Sequence, residues 1–373
     1  MLLSAITIIF LIAYALLIGY YYKWWKQLDE FEEDGSVECA KISVIVPARN
    51  EAATIAKLLV SLQNQSYPVD AFEVLVVDDH STDHTIDVVN ASALNNLRLI
   101  QPLAEADQSS KKKAIEAGVR QASGELIVTT DADCIAPANW LHTINNFYQK
   151  TGACFIAAPV KFSHDKSFLG IFQSLDFITL QGITAASVAA HFHTMCNGAN
   201  LAYTKKAFEV VDGFEGIDKI ATGDDMLLMH KIWKNNPSKV FYLKNKDAVV
   251  TTPPMPTWKA FFSQRKRWAS KTLVYDDVRI IAVLGFVYLL NLLFIILTVA
   301  AFFNFFYWID VIGFLLIKTI IEAPFVYSVA KFYDEEKLMK YFFFFQPVHI
   351  LYTVSIGFIS QFGKYEWKGR KTK

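Results

Sequence analysis

Phe72-Glu-Val-Leu-Val-Val-Asp-Asp-His-Ser-Thr-Asp83 is an apolar, β-branched run that stops in a cluster of acids. It reads as a short buried strand, because four to six such residues bounded by turn formers fit a strand better than a helix. The same grammar recurs at Leu126-Ile-Val-Thr-Thr130, introduced by Ser123-Gly124 and followed by Asp131-Ala-Asp133. Upstream, Ile42-Ser-Val-Ile-Val46 ends at Pro47, and Leu97 to Ile100 is a fourth short run. Between them lie stretches with helical character, about Thr54–Gln63, Thr82–Ala93 and Lys111–Ala122. In the last, Ala114/Gly118 and Ile115/Val119 share one face. Strands alternating with helices predict an α/β domain with a mostly parallel sheet. Ligands in such sheets bind beyond the carboxyl ends of the strands, where both acidic clusters fall.

Carboxylates gathered at one crevice repel each other unless a cation joins them. Hard oxygen ligands suit Mg²⁺ or Mn²⁺, with substrate phosphates completing the shell. Read singly, Asp78–Asp83 is also a set of helix-capping residues, and Asp131/Asp133 a solvated turn. Two acidic clusters after two strands favour a site.

These motifs resemble the family 2 inverting glycosyltransferases with the GT-A fold, over about Lys41 to Lys271. Ser43-Val-Ile-Val-Pro-Ala-Arg-Asn-Glu51 resembles the family's opening strand and nucleotide-binding loop, so Pro47, Arg49, Asn50 and Glu51 are expected at the nucleotide sugar. Asp78 and Asp79 resemble the loop that contacts base and ribose, with His80 where glycine is common. Lys111 resembles the lysine that approaches the diphosphate, although Ser110 and Glu116 depart from the usual glycine and asparagine. Asp131-Ala-Asp133 matches the D-x-D metal motif, with Asp133 expected on the metal and Asp131 on metal or ribose. Asn197-Gly-Ala-Asn200 resembles the acceptor-side loop, which implicates Asn197 and Gly198. Gly223-Asp-Asp225 stands where the family often has Thr-Glu-Asp, which makes Asp225 the expected base and Asp224 its neighbour. Gln264-Arg-Lys-Arg-Trp268 matches Q-x-x-R-W, a motif typical of membrane synthases of glycolipids and exopolysaccharides. There Arg267 can hold phosphate with two parallel hydrogen bonds, and Trp268 offers a stacking plane for sugar or acceptor. Gln264 shares a helix face with Trp268. Arg265 and Lys266 are expected to meet anionic lipid instead.

The rest of the composition points to a membrane. The chain has 373 residues, 53% of them hydrophobic, and 30 are Phe. The excess lies at the two ends. Leu2–Tyr22 carries no charge and is long enough to cross a bilayer, so residues 1–23 are expected to be an uncleaved anchor. Lys23 and Lys26 lie in and just after an aromatic belt of Tyr20 to Trp25, which is expected to place the next domain in the cytoplasm. That domain is expected at 40–271. Residues 280–362 hold about three further apolar segments, divided near Asn304, then Tyr307–Ala330 and Tyr341–Phe362. Residues 363–373 form a basic tail. Three full crossings there would put the tail outside, whereas its charges favour the inside, so one segment is expected to be re-entrant or interfacial. Lys318 and Glu322, one turn apart in a span, are expected to neutralise each other. Phe168–Val188, interrupted by Asp176, is expected to be a core or interfacial helix.

Lys plus Arg and Asp plus Glu are both 36, which gives no support to a nucleic-acid partner. The four cysteines form no C-x-x-C pair and are expected to be buried and reduced. The resemblance implies an integral protein of the cell membrane, transferring sugar from a nucleotide sugar, of which a UDP-sugar is the first expectation. The acceptor would be a lipid, lipid-linked or glycan molecule. A processive polysaccharide synthase is the alternative within the class, and an inactive sugar-nucleotide-binding scaffold the alternative outside it.

Overall fold

The computed structural model describes every residue except 1, 34, 36–37, 103–109, 164–165, 219, 221–222, 271–276, 362–364, 368–369 and 373, and only the backbone of 365–367 and 370–372. Lys271 and the side chains of the basic tail therefore lie outside the described residues. The strands are β1 (Ile42–Ala48), β2 (Phe72–Asp78), β3 (Leu97–Ile100), β4 (Leu126–Thr129), β5 (Phe155–Ala157), β6 (Val160–Phe162), β7 (Leu201–Thr204), β8 (Val240–Tyr242), β9 (Val250–Thr252), β10 (Tyr365–Trp367) and β11 (Arg370–Thr372). The helices are α1 (Leu2–Gln27), α2 (Ile55–Gln63), α3 (Thr85–Asn90), α4 (Lys111–Gln121), α5 (Trp140–Thr151), α6 (Phe168–Ala189), α7 (Lys205–Val210), α8 (Asp224–Asn235), α9 (Trp258–Ala269), α10 (Val278–Phe303), α11 (Tyr307–Phe332) and α12 (Phe342–Ile359).

A seven-stranded sheet in the order β3-β2-β1-β4-β7-β5-β8 forms the centre. β1 runs parallel to both β2 and β4, and only β7 opposes its neighbours. The central strands are buried on both faces, which is why they read as continuous apolar runs. Helix α3 is shorter than the expected Thr82–Ala93. Asp83 accepts from the amides of Thr85 and Ala52, so the preceding residues are spent on a turn that ties two loops together. His80 adopts φ 58, the left-handed conformation that glycine takes at little cost. No disulfide joins the four cysteines among the described residues; Cys134 is buried as expected, whereas Cys39 is exposed and Cys154 and Cys196 are half-buried.

Among the described residues four helices are long and apolar enough to cross a membrane: α1, α6, α10 and the stretch Glu336–Ile359 that contains α12; α11, expected as a span over Tyr307–Ala330, is not one of them because Asp310, Lys318, Glu322 and Lys331 interrupt it. α6 is mostly buried inside the protein. It lies under the sheet and packs against β6 and β8 on one side and α1 and α11 on the other. This is the core helix expected of Phe168–Val188. At Gly182 an added Cβ would meet Val329 at 2.4 Å and Phe325 at 3.1 Å, so the absence of a side chain sets the closeness of α6 and α11.

α1, α10 and α11 form a bundle of three helices of 26 residues each. At 1.5 Å per residue each is about 39 Å long, more than a bilayer's hydrocarbon core. α1 and α11 run the same way: Ser4 bonds Asp310 at one end, and Trp25 bonds Ser328 at the other. The domain end of α1 is fixed by Lys244, whose ammonium binds the carbonyls of Trp25 and Leu28 and lies over the Trp25 ring. The helix C-terminus favours a cation there. Inside the bundle Lys318 bonds Glu322 at 2.7 Å and Gln346 at 2.6 Å, and Tyr14 donates to Glu322. The expected ion pair is thus a four-residue network.

α12 behaves differently. Phe345 packs on Phe168, Tyr352 packs on Phe172 and Phe261, and Tyr352 donates to Asp176. α12 packs most extensively on α10 of the bundle and also touches α9, α11 and α6, and β10 beyond it packs on α9.

Candidate active site

One cavity of about 1360 Å³ opens at the carboxyl ends of the strands and continues between the apolar helices. Pro47, Arg49, Glu51, Asp79, Lys111, Asp131, Asp133, Asn197, Gly198, Asp224, Asp225, Gln264, Arg267 and Trp268 all line it. Asn50 and Asp78, also expected at the nucleotide sugar, do not appear in its lining. Their side chains hold loops: Asn50 Oδ1 accepts from the Thr82 amide, and Asp78 Oδ2 from the Ser81 amide. Asp79 reaches the cavity because its own amide bonds Ala48 O, which turns the chain over the end of β1, while Arg49 donates to its carbonyl at 2.6 Å.

Lys111 opens α4, where Ser110 caps the helix by accepting from Lys113 N. Its ammonium bonds Asp131 at 2.6 Å and stands 3.4 Å from Asp224. Burial works against this charge, but Asp131, Asp224 and Asp225 outweigh it and hold the lysine above its ordinary pKa. The lysine run is not a solvated face: Lys112 is buried and binds the carbonyls of Ile217 and Ile220, in the segment leading to α8.

Asp225 lies in the first turn of α8. The helix cap is Gly223, in a left-handed conformation, so the two acids are not capping residues. Asp225 Oδ1 accepts from Met226 N at 2.8 Å and Oδ2 from Gly198 N at 3.0 Å, which fixes the carboxylate plane. A Cβ on Gly198 would come within 3.0 Å of the Lys111 ammonium and 3.5 Å of Asp225. The glycine lets acceptor loop, lysine and acid converge.

Asp133 is met by Thr252 Oγ1 at 3.4 Å from β9. Among the described residues no group of three His, Cys, Asp or Glu side chains could hold a metal ion unaided. Asp131 and Asp133 supply two hard oxygen ligands at one crevice, a set that fits Mg²⁺ or Mn²⁺ only when phosphate oxygens and water complete the shell.

In α9, Arg265 departs from its expected place at lipid. It is 4% exposed, bonds Asp176 at 2.6 Å, and lies 4.2 Å from the Trp268 ring and 4.9 Å from Phe261. Gln264 and Trp268 face the cavity together, as their spacing of four requires. His193, His349 and Tyr352 also line this cavity without any motif to mark them, and so does Asp176, whose signal was its charge inside an otherwise apolar helix. Burial pushes His193 down to about 4, so it is a neutral hydrogen-bonding group beside Tyr21 and Ser187.

Residues 43–210 match the description "Glycosyl transferase family 2". Over that stretch the chain is similar to the family 2 glycosyl transferases. Among similar curated proteins is a probable glycosyltransferase, YdaM of Bacillus subtilis (strain 168), 27% identical over 244 residues, covering 62% of this chain and 55% of that protein. A beta-monoglucosyldiacylglycerol synthase of Nostoc sp. is 27% identical over 237 residues, covering 61% and 48%. The matches thus span about half the length of these relatives. The fold also resembles the mannosyltransferase PcManGT of Pyrobaculum calidifontis, solved with GDP-Man and Mn²⁺, at a TM-score of 0.58 and 21% identity over 94% of this chain and 99% of that one. The family 2 match covers β1 to α7, so the glycosyltransferase motif residues Asp225 and Arg267 lie beyond it on α8 and α9.

Proposed function

We propose that this protein is a membrane-bound inverting glycosyltransferase that moves a sugar from a nucleotide sugar, in the first instance a UDP-sugar, to a lipid, lipid-linked or glycan acceptor. The observation that carries this reading is the meeting of Lys111, Asp131, Asp133, Asp225 and Arg267 around one cavity. Asp79, Arg49 and Glu51 hold the nucleoside end. Asp131 and Asp133 would hold a divalent cation, which would supply positive charge to the diphosphate. Lys111 and Arg267 stabilise the same leaving group, the charge that grows as the glycosidic bond to phosphate breaks. Asp225 takes the proton from the acceptor hydroxyl as its oxygen bonds to the anomeric carbon from the opposite face. The bond between Asp225 and Gly198 N aims the base before the acceptor arrives.

The arrangement of helices supports a bilayer position with the catalytic domain on the cytoplasmic side. In this reading α1, α10 and α11 cross, α11 being carried by its packing on α1 and α10 rather than by its own apolarity, and α12 stays at the surface between α9 and α10. Three crossings and one interfacial helix put the basic tail on the domain's side, in agreement with its charge.

The test is nucleotide release from a panel of sugar nucleotides by membranes containing the protein, with and without Mn²⁺. One donor should be turned over in a metal-dependent way. Release from none of them, by protein shown to be folded, overturns the reading.

A further inference from the structure

The turn after β2 carries a histidine, His80, at φ 58. Glycine is common at this place in the family that the motif resembles. A glycine takes the left-handed conformation at little cost, whereas a residue with a Cβ is strained by it. The neighbours impose that conformation. On one side the Asp79 amide bonds Ala48 O, and the Asp79 carbonyl accepts from Arg49. On the other side the Ser81 amide bonds Asp78 Oδ2, and the Ser81 hydroxyl accepts from the Asn50 amide. Both residues that flank His80 are thus pinned, and the backbone between them has little room to relax. Strain that the surroundings enforce in this way is kept where the residue is used.

The side chain shows the use. The ring is 30% exposed, yet its Nδ1 is buried without a hydrogen-bond partner among the described residues. It faces the Asp79 carboxylate, with Oδ1 3.7 Å away. Asp79 is buried and lines the cavity, whereas His80 is absent from the lining. His80 therefore reaches a ligand only through Asp79. The gap is longer than a hydrogen bond, and a shift of about 1 Å closes it. A carboxylate accepts at both oxygens, so one can be taken by the imidazole while the other meets a ligand.

We propose that His80 is a positioning residue for the donor: its Nδ1–H takes one oxygen of Asp79 when the nucleoside binds, and so aims the other at an N–H of the base or a hydroxyl of the ribose. The inference rests on the assignment of Asp79 to the nucleoside end and deepens it. A glycine at this place would relieve the backbone and leave the carboxylate free to turn.

The experiment titrates UDP and GDP, separately and with Mn²⁺, into the full chain in detergent by calorimetry. It compares the unaltered protein with His80→Gly and His80→Asn. Glycine suits the backbone and has no side chain. Asparagine also tolerates the left-handed conformation and carries an N–H donor at the δ position, as the imidazole does. His80→Gly should bind whichever nucleotide the unaltered protein binds about tenfold more weakly, the loss of one hydrogen bond to a charged group. Its midpoint of thermal unfolding should stay near that of the unaltered protein. His80→Asn should recover most of the affinity. With the donor that the panel identifies, the half-saturating concentration should follow the same order while the turnover number changes little. Equal affinity in His80→Gly and the unaltered protein overturns the proposal and leaves the transferase standing. So does a loss of affinity that asparagine does not restore, or one that comes with a lower midpoint. Binding of neither nucleotide by folded, unaltered protein removes the donor reading and the proposal together.

Discussion

At the residue scale, function rests on carboxylates whose direction is set by backbone amides. Asp225 is held by Gly198 N and Met226 N, and the residue type alone could not reveal that clamp. Asp225→Asn keeps the shape and removes the base. Transfer should fall by at least about 100-fold, the usual contribution of a general base, while donor binding measured by calorimetry stays near wild type. Normal turnover would mean that another group takes the proton. Asp133→Ala should weaken donor binding only when Mn²⁺ is present, read as the loss of the metal-dependent part of the affinity. Equal affinity with and without metal in the unaltered protein would remove Asp133 from that role. Gly198→Ala places a methyl 3.0 Å from the Lys111 ammonium, closer than a relaxed contact. The far end of the lysine can shift, so the fold should survive and the turnover number should drop. Motif matching put Asp79 at the base or ribose with Asp78 as its alternative, and set Asn50 beside Arg49. The turn after β2 separated them, because Asp78 and Asn50 satisfy loop amides while their neighbours face the cavity.

At the element scale, the strands and the helices of the domain were largely legible, since runs buried on both faces are continuous in sequence. The boundaries of α3 were not, because Asp83 serves amides from two different loops. The short strands β5, β6, β8 and β9 carry three residues each and leave little pattern to read. α11 shows how tertiary partners decide what a charge in an apolar helix means. Lys318 is buried with Glu322, Gln346 and, through Glu322, Tyr14. Lys318→Met leaves a buried carboxylate without its cation and should destabilise the bundle by about 3–5 kcal/mol. Adding Glu322→Gln to that variant should recover most of the loss, read as the midpoint of thermal unfolding in detergent. Equal melting of wild type and Lys318→Met would show the pair to be idle. Gly182→Val should lower the same midpoint, because its side chain would overlap Val329 where α6 meets α11.

At the scale of the whole molecule, α6 is a main joint between the domain and the apolar bundle, beside the contacts of Lys244 with the end of α1 and of α9 with α12. It seats the sheet on one side and the bundle on the other, and its Asp176 links α9 to α12. With α12 at the membrane surface, as proposed, a tag at the C-terminus should share the side of the membrane with the catalytic domain, and a tag at the N-terminus the opposite side. Protease protection of both tags in sealed vesicles checks this. Tags on one side would mean that α1 does not cross or that α12 does.

The sequence by itself determined the alternating domain, the acidic strand ends, the Q-x-x-R-W helix and the apolar ends, because each is a local pattern in which burial and residue type repeat at short range. Only the tertiary structure decided that Arg265 is a buried partner of Asp176 rather than a lipid-facing charge, that α12 packs on α9 as well as on α10, and that donor and apolar helices share one cavity. Those depend on side chains up to 176 residues apart being brought within hydrogen-bonding distance, and no periodicity along the chain encodes which distant charge will meet which.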